Sequence, residues 1–119
     1  MDKEDKEKIQ KIISDRNKAH QTLIELKSKV YDAFLQMEKE AFSNRNLKKI
    51  YKELIALGIS IAINCESCME WHIHEALKAG ASKSQIIETI EVAVEMGGGP
   101  ATVSSRFALK VLEYYQELK

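Results

Sequence analysis

No glycine occurs before Gly58, and Pro100 is the only proline in all 119 residues. Tight hairpin turns draw on those two residue types, so a chain nearly without them has few places to reverse as a β-sheet must. Ala, Leu, Ile, Glu, Lys and Gln dominate instead, all of them good or tolerant helix formers. The expected fold class is therefore all-α, with about six helices. One domain, residues 1–119, is expected, and a chain of this length buries roughly two-thirds of its unfolded surface without a disulfide framework.

Apolar spacing sets the expected elements. Ile9, Ile12 and Ile13 mark a weakly amphipathic first helix over 3–15, followed by a turn or fray at "SDRNKAH". Leu23, Leu26, Val30, Phe34, Met37 and Ala41 recur at three and four, one stripe of a helix over 21–42 that should lie on something. "FSNRN" ends it, and Asn46 is the expected N-cap of a third helix over 47–63. The second half of that helix, "LIALGISIAI", is apolar nearly all round, which in so small a chain predicts a subunit interface. A fourth helix opens at Cys65 and ends at Gly80, and Ser82 with Gln85 forms a capping box for a fifth carrying Ile86, Ile87, Ile90 and Val94. "GGGP" stops the fifth. Pro100 then enters the first turn of a sixth with the stripe Val103, Phe107, Val111 and Tyr114.

Charge excludes several functions. Lys plus Arg and Asp plus Glu both number 18, so the bias that nucleic acid or an anionic membrane demands is missing. The start, "MDKEDKEKIQKII", has no apolar signal-type core, and Leu54 to Ile63 is too short an apolar run to cross a bilayer. The expectation is a cytoplasmic protein with no nucleic-acid or membrane partner. Thiols are kept reduced there, so a CxxC is read as redox or metal chemistry before it is read as a structural bridge.

That pair lies in "NCESCMEWHIH". At about 100° per residue, Cys65, Cys68 and His72 fall on one face of the fourth helix, while His74 and Glu70 fall toward the solvent side. Two thiols in a helix's first turn can close a disulfide with little movement, and the free N–H groups there stabilise a thiolate. His72, one turn beyond Cys68, can take or relay its proton. Glu53, at the edge of the third helix's apolar arc, needs a donor to offset its burial, and His72 would serve. The rival reading is metal binding by Cys65, Cys68, His72 and Glu53, which crowds three ligands onto one helix. Trp71, Tyr114 and Tyr115 read as packing or interface surface, and "GGGP" lacks the strand and the Lys-Ser/Thr of a phosphate loop.

Glu53, the step to Cys65, the CxxC, His72, "ALKAGASKSQIIETIEVA" and "GGGPA" together resemble the carboxymuconolactone decarboxylase/alkylhydroperoxidase D superfamily. The match spans about residues 30–118 and leaves residues 1–25 as an N-terminal helical extension. The resemblance implies an all-α homo-oligomer, trimeric or hexameric, and thiol peroxidase chemistry in the alkylhydroperoxidase D branch. It makes Cys68 the peroxidatic thiol, Cys65 the resolving thiol, and Glu53 with His72 the proton relay. Expected partners are a hydroperoxide or disulfide substrate and an external dithiol protein, with no organic cofactor and no metal. One departure stands out: Ser67 occupies a position where peroxidase members often carry histidine. The superfamily's name-giving lactone chemistry, which needs no cysteine pair, and a non-enzymatic redox-sensing assembly are the alternatives.

Overall fold

A computed structural model describes residues 1–118. Among them are five α-helices and no strand: α1 (Lys3–Glu25), α2 (Lys29–Ala41), α3 (Lys49–Ala62), α4 (Glu66–Lys78) and α5 (Lys83–Glu117). The core forms where α3, α4 and α5 meet, with Leu57 and Ile61, Met69 and Ile73, and Ile86 and Val111 fully buried. Ile9 of α1 joins them, and α2 packs on α1. Among the described residues no helix is long and apolar enough to cross a membrane.

The first two helices differ from the expected boundaries. α1 does not end at 15 but runs through "SDRNKAH" to Glu25. That stretch lacks an apolar stripe because its inward contacts are polar: Arg16 bonds to α4, and His20 Nδ1 lies 2.6 Å from the Tyr31 hydroxyl. The break falls instead inside the expected 21–42 helix. Lys27 takes a left-handed conformation (φ 56°), and Ser28 N–H donates back to the Leu23 carbonyl at 3.3 Å. Ser28 then caps α2, its hydroxyl accepting from Tyr31 N–H at 3.1 Å. The stripe on α2 is also largely uncovered in the single chain, with Val30 83 % and Met37 61 % exposed.

Asn46 does not cap α3. Lys48 holds that position without a side-chain bond, and Asn44 Oδ1 takes the Lys49 N–H at 2.7 Å. The apolar second half of α3 is covered on one side only. Leu57 and Ile61 are buried, while Ile55, Ile59 and Ile63 are each more than half exposed.

Turn chemistry delivers the chain into α4. Asn64 (φ 55°) donates to the Ile61 carbonyl at 3.1 Å, and Cys65 N–H donates to the Ser60 carbonyl at 2.9 Å. This paired closure with a left-handed residue satisfies the last carbonyls of α3, and asparagine tolerates that conformation better than other non-glycine residues. Gly80 (φ 103°) repeats the arrangement after α4, with Ala81 N–H on the Ala76 carbonyl. The Ser82/Gln85 capping box forms as expected. The two expected C-terminal helices are one element, α5, broken at a single non-helical residue, Gly98 (φ 64°, ψ −145°), so the count is five rather than about six. Pro100 stands two residues on, where the break has already removed the bond its missing N–H would make.

Candidate active site

Cys65 occupies the N-cap position of α4, and its Sγ accepts the Cys68 N–H at 3.2 Å. A capping residue reaches the free amides of the first turn, and here the capping atom is sulfur. The same geometry sets Cys68 one turn on. The two sulfurs form a disulfide with the Cα atoms 5.2 Å apart. Both residues are partly buried at the positive end of the α4 dipole.

His72 sits one turn beyond Cys68 and turns Nδ1 to Glu53 Oε1 of α3, at 2.7 Å. The Phe42 ring stacks on the imidazole with centroids 5.5 Å apart. Glu53 is 2 % exposed. Burial pushes its carboxyl up, but hydrogen bonds from His72 and Lys49, with the Lys49 charge, outweigh that and hold it below the ordinary value. A carboxylate on Nδ1 fixes the tautomer and leaves Nε2 as the nitrogen free for proton transfer.

The sequence reading missed Lys49. Its Nζ bonds Glu53 Oε2 and lies 3.7 Å from Glu75 Oε1, so the buried Glu53 carboxylate has a donor on each oxygen. The i,i+4 spacing of Lys49 and Glu53 was the available signal.

Glu70 corrects the helical-wheel reading. Placed toward solvent by angle alone, it is 1 % exposed. The Arg16 Nη1 donates to its Oε1 at 2.5 Å, and the Tyr115 hydroxyl donates to its Oε2. Burial, and then the Glu70 carboxylate, push the Tyr115 phenol far above its usual range. His74, also expected at the surface, is partly buried and stacks on Tyr115 at 4.9 Å. Trp71 packs under the Arg16 guanidinium at 5.2 Å.

Cys68 opens on a cleft of about 440 Å³, lined by Arg16 and His20 of α1, Phe34 of α2, and Trp71 and His72 of α4. α1 therefore forms one wall of this cleft. A second groove of about 490 Å³ between α3 and α5, lined by Ile55, Ile59, Val92 and Met96, holds no ionisable group but the Tyr51 phenol. The one other hydroxyl among its lining residues, Thr89, is bonded to the Gln85 carbonyl at 2.8 Å, so the groove offers no chemistry comparable to the Cys68 cleft.

The family model described as "Carboxymuconolactone decarboxylase family" matches residues 28–111. An uncharacterised protein 4 of the cox locus of Paracoccus denitrificans is 40 % identical over 82 residues, 69 % of this chain and 74 % of that protein. An uncharacterised protein of Cupriavidus necator is 34 % identical over 86 residues, 72 % of this chain and 74 % of its own length. Among solved structures, a carboxymuconolactone decarboxylase family protein of Legionella pneumophila aligns with a TM-score of 0.82 at 28 % identity, over 92 % of this chain and 96 % of that one. A Thermotoga maritima family member, described as a candidate for involvement in the antioxidative response, aligns at 0.82 and 23 % identity over 91 % and 92 % of the two chains. With the family model covering most of the chain and the fold shared nearly end to end, this protein belongs to the carboxymuconolactone decarboxylase family.

Proposed function

We propose that this chain is a thiol-dependent antioxidant oxidoreductase that reduces hydroperoxides, or exchanges disulfides, through the Cys65/Cys68 couple. The observation that carries the reading is the joining of both sulfurs at the start of α4, one turn from an imidazole held at 2.7 Å by a buried carboxylate. A pair at that position changes between dithiol and disulfide without moving the backbone far. The reading agrees in kind with the antioxidative description of the Thermotoga relative.

In the cycle, the Cys68 thiolate attacks the distal oxygen of a hydroperoxide and the O–O bond breaks. His72 supplies the proton that releases the alcohol, leaving a sulfenic acid on Cys68. Cys65 attacks that sulfur, water leaves, and the disulfide forms. An external dithiol protein then takes the oxidation by thiol–disulfide exchange and returns both thiols. Peroxide oxygen is reduced, and the outside dithiol is finally oxidised. No organic cofactor enters.

The test is stoichiometric. Pre-reduced protein mixed with an organic hydroperoxide should lose one thiol pair per peroxide consumed, and Cys68→Ser should lower that rate by about 100-fold or more, as loss of a covalent nucleophile does. Unchanged turnover in Cys68→Ser rejects the proposal. Turnover of a lactone carboxylate that survives alkylation of both cysteines would reject it too, in favour of decarboxylase chemistry.

A further inference from the structure

We propose that Arg16, from the helix that precedes the family-matched residues, is a positioning residue that tunes the acidity and redox balance of the Cys65/Cys68 couple. The inference rests on the dithiol reading above and adds to it a residue that no part of that cycle uses.

The guanidinium makes two different contacts with its two ends. Nη1 bonds the buried Glu70 at 2.5 Å, and Nη2 donates to the Ser67 carbonyl at 2.8 Å and to the Ser67 hydroxyl at 3.1 Å. Glu70 is itself held by Tyr115 on its other oxygen, and the guanidinium lies against the Trp71 ring. Arg16 is thus fixed from three sides and only 25 % exposed, so solvent screens its charge incompletely. Its negative partner lies on the Nη1 side, whereas Nη2 faces Ser67, one of the two residues between the cysteines; the other, Glu66, is paired with Lys8 of α1 at 3.1 Å. Ser67 cannot carry charge. α1 brings two cations to this turn, Lys8 on the Glu66 carboxylate and Arg16 on Ser67, and only Arg16 bonds the peptide that leads into Cys68.

The Ser67 carbonyl belongs to the peptide group whose N–H is that of Cys68, and this N–H donates to Cys65 Sγ at 3.2 Å. A guanidinium pulling on the carbonyl oxygen draws electron density through the peptide and makes the N–H a stronger donor, since linked hydrogen bonds polarise one another. In the reduced protein that donor meets a thiolate, the form that gains most from a stronger N–H. Arg16 therefore acts on Cys65 through the peptide and on the neighbouring Cys68 through its field. Both effects favour the dithiolate side over the disulfide. The consequence is a more acidic and more oxidising couple than the CxxC and the helix end would produce alone.

Thiol acidity is read from the pH dependence of alkylation of the reduced protein, and the redox balance from equilibration with glutathione buffers above the thiol pKa. Neither readout needs a peroxide. For Arg16→Gln the inference expects the thiolate fraction at acidic pH to fall by about three- to tenfold, an apparent pKa rise of roughly half to one unit. The glutathione equilibrium should shift toward the disulfide by a similar factor, about threefold to tenfold. Arg16→Gln leaves Glu70 buried without its cation, so the double variant Arg16→Gln/Glu70→Gln removes both charges and keeps the fold testable. Arg16→Lys, which keeps charge but loses the fork, should fall between.

A folded double variant that titrates and equilibrates like Glu70→Gln alone, which keeps the Arg16 charge, overturns the inference, and so does an Arg16→Lys protein lying outside the interval between wild type and Arg16→Gln. The two proposals fail differently. If wild-type sulfurs do not exchange with glutathione at all, the dithiol function is wrong; if they exchange and the Arg16 variants match them, only the role of Arg16 is wrong.

Discussion

At the scale of single residues, Glu53 carries the sharpest expectations. It orients His72 through Oε1 and is paired with Lys49 through Oε2. Glu53→Gln keeps the shape but loses the charge that stabilises a protonated imidazole, so peroxide-dependent thiol loss should slow by about 10- to 100-fold. A loss smaller than threefold in a stopped-flow thiol assay would remove Glu53 from the relay. The same residue ties stability to pH. Its carboxyl titrates below its ordinary 4.5 in the folded chain, so the unfolded chain binds the proton first as pH falls. The contribution is then fully present above the unfolded value and is lost as pH drops through the lower folded one. Urea midpoints measured from neutral pH down through the acid range should therefore fall more steeply for the wild type than for Glu53→Gln, with the difference confined to the region below about pH 5.

Helix ends decide geometry at the next scale. α5 passes through its bend on Gly98, whose φ of 64° with ψ of −145° lies in a region open essentially to glycine alone. Gly98→Ala should cost about 1–3 kcal/mol in chemical denaturation. A variant as stable as the wild type would mean that the bend relaxes into continuous helix. At the entry to α4, Asn64→Gly should be tolerated and Asn64→Val should lose roughly 1–2 kcal/mol, because a branched side chain resists the left-handed conformation. Asn64→Val should also slow disulfide closure after an oxidant pulse, since that turn places Cys65 at the N-cap. Equal closure rates in the two variants would show that the cysteines find each other without the turn.

At the scale of the whole molecule, the apolar face between α3 and α5 is left uncovered, as the α2 stripe is. Ile55 and Ile59 of α3 meet Val92 and Met96 of α5 across a groove, each of them more than half exposed. Exposed apolar area of that kind on a helical domain is characteristic of an assembly surface. We propose that a second copy of the chain covers it, as the family resemblance leads one to expect. Sedimentation should then give a mass that is a multiple of the monomer, and Ile59→Glu should reduce it toward one chain. A monomeric wild type at micromolar concentration would exclude this.

Much of this architecture is written locally. Helical composition, the Ser82/Gln85 box, Gly80 after α4 and the CxxC at a helix start depend on neighbours a few residues away, and a sequence displays such neighbours directly. The Glu53–His72 contact was legible in part, because a carboxylate on the edge of an apolar arc demands a donor, but that Lys49 would supply a second one was not. Glu70 was not. Its angle on α4 points away from the core stripe, and only the docking of Arg16 and Tyr115, which lie 54 and 45 residues away in the chain, makes its burial affordable. Nor was the continuity of α1 past residue 15, for its inward contacts are hydrogen bonds and ion pairs that leave no apolar period to read. Sequence pattern by itself determined that the chain is helical, where α4 begins, and which sulfurs and imidazole share a face, because those depend on local backbone geometry. Tertiary structure alone decided which charges face one another inside, because electrostatic pairing depends on distance in space and is indifferent to separation along the chain.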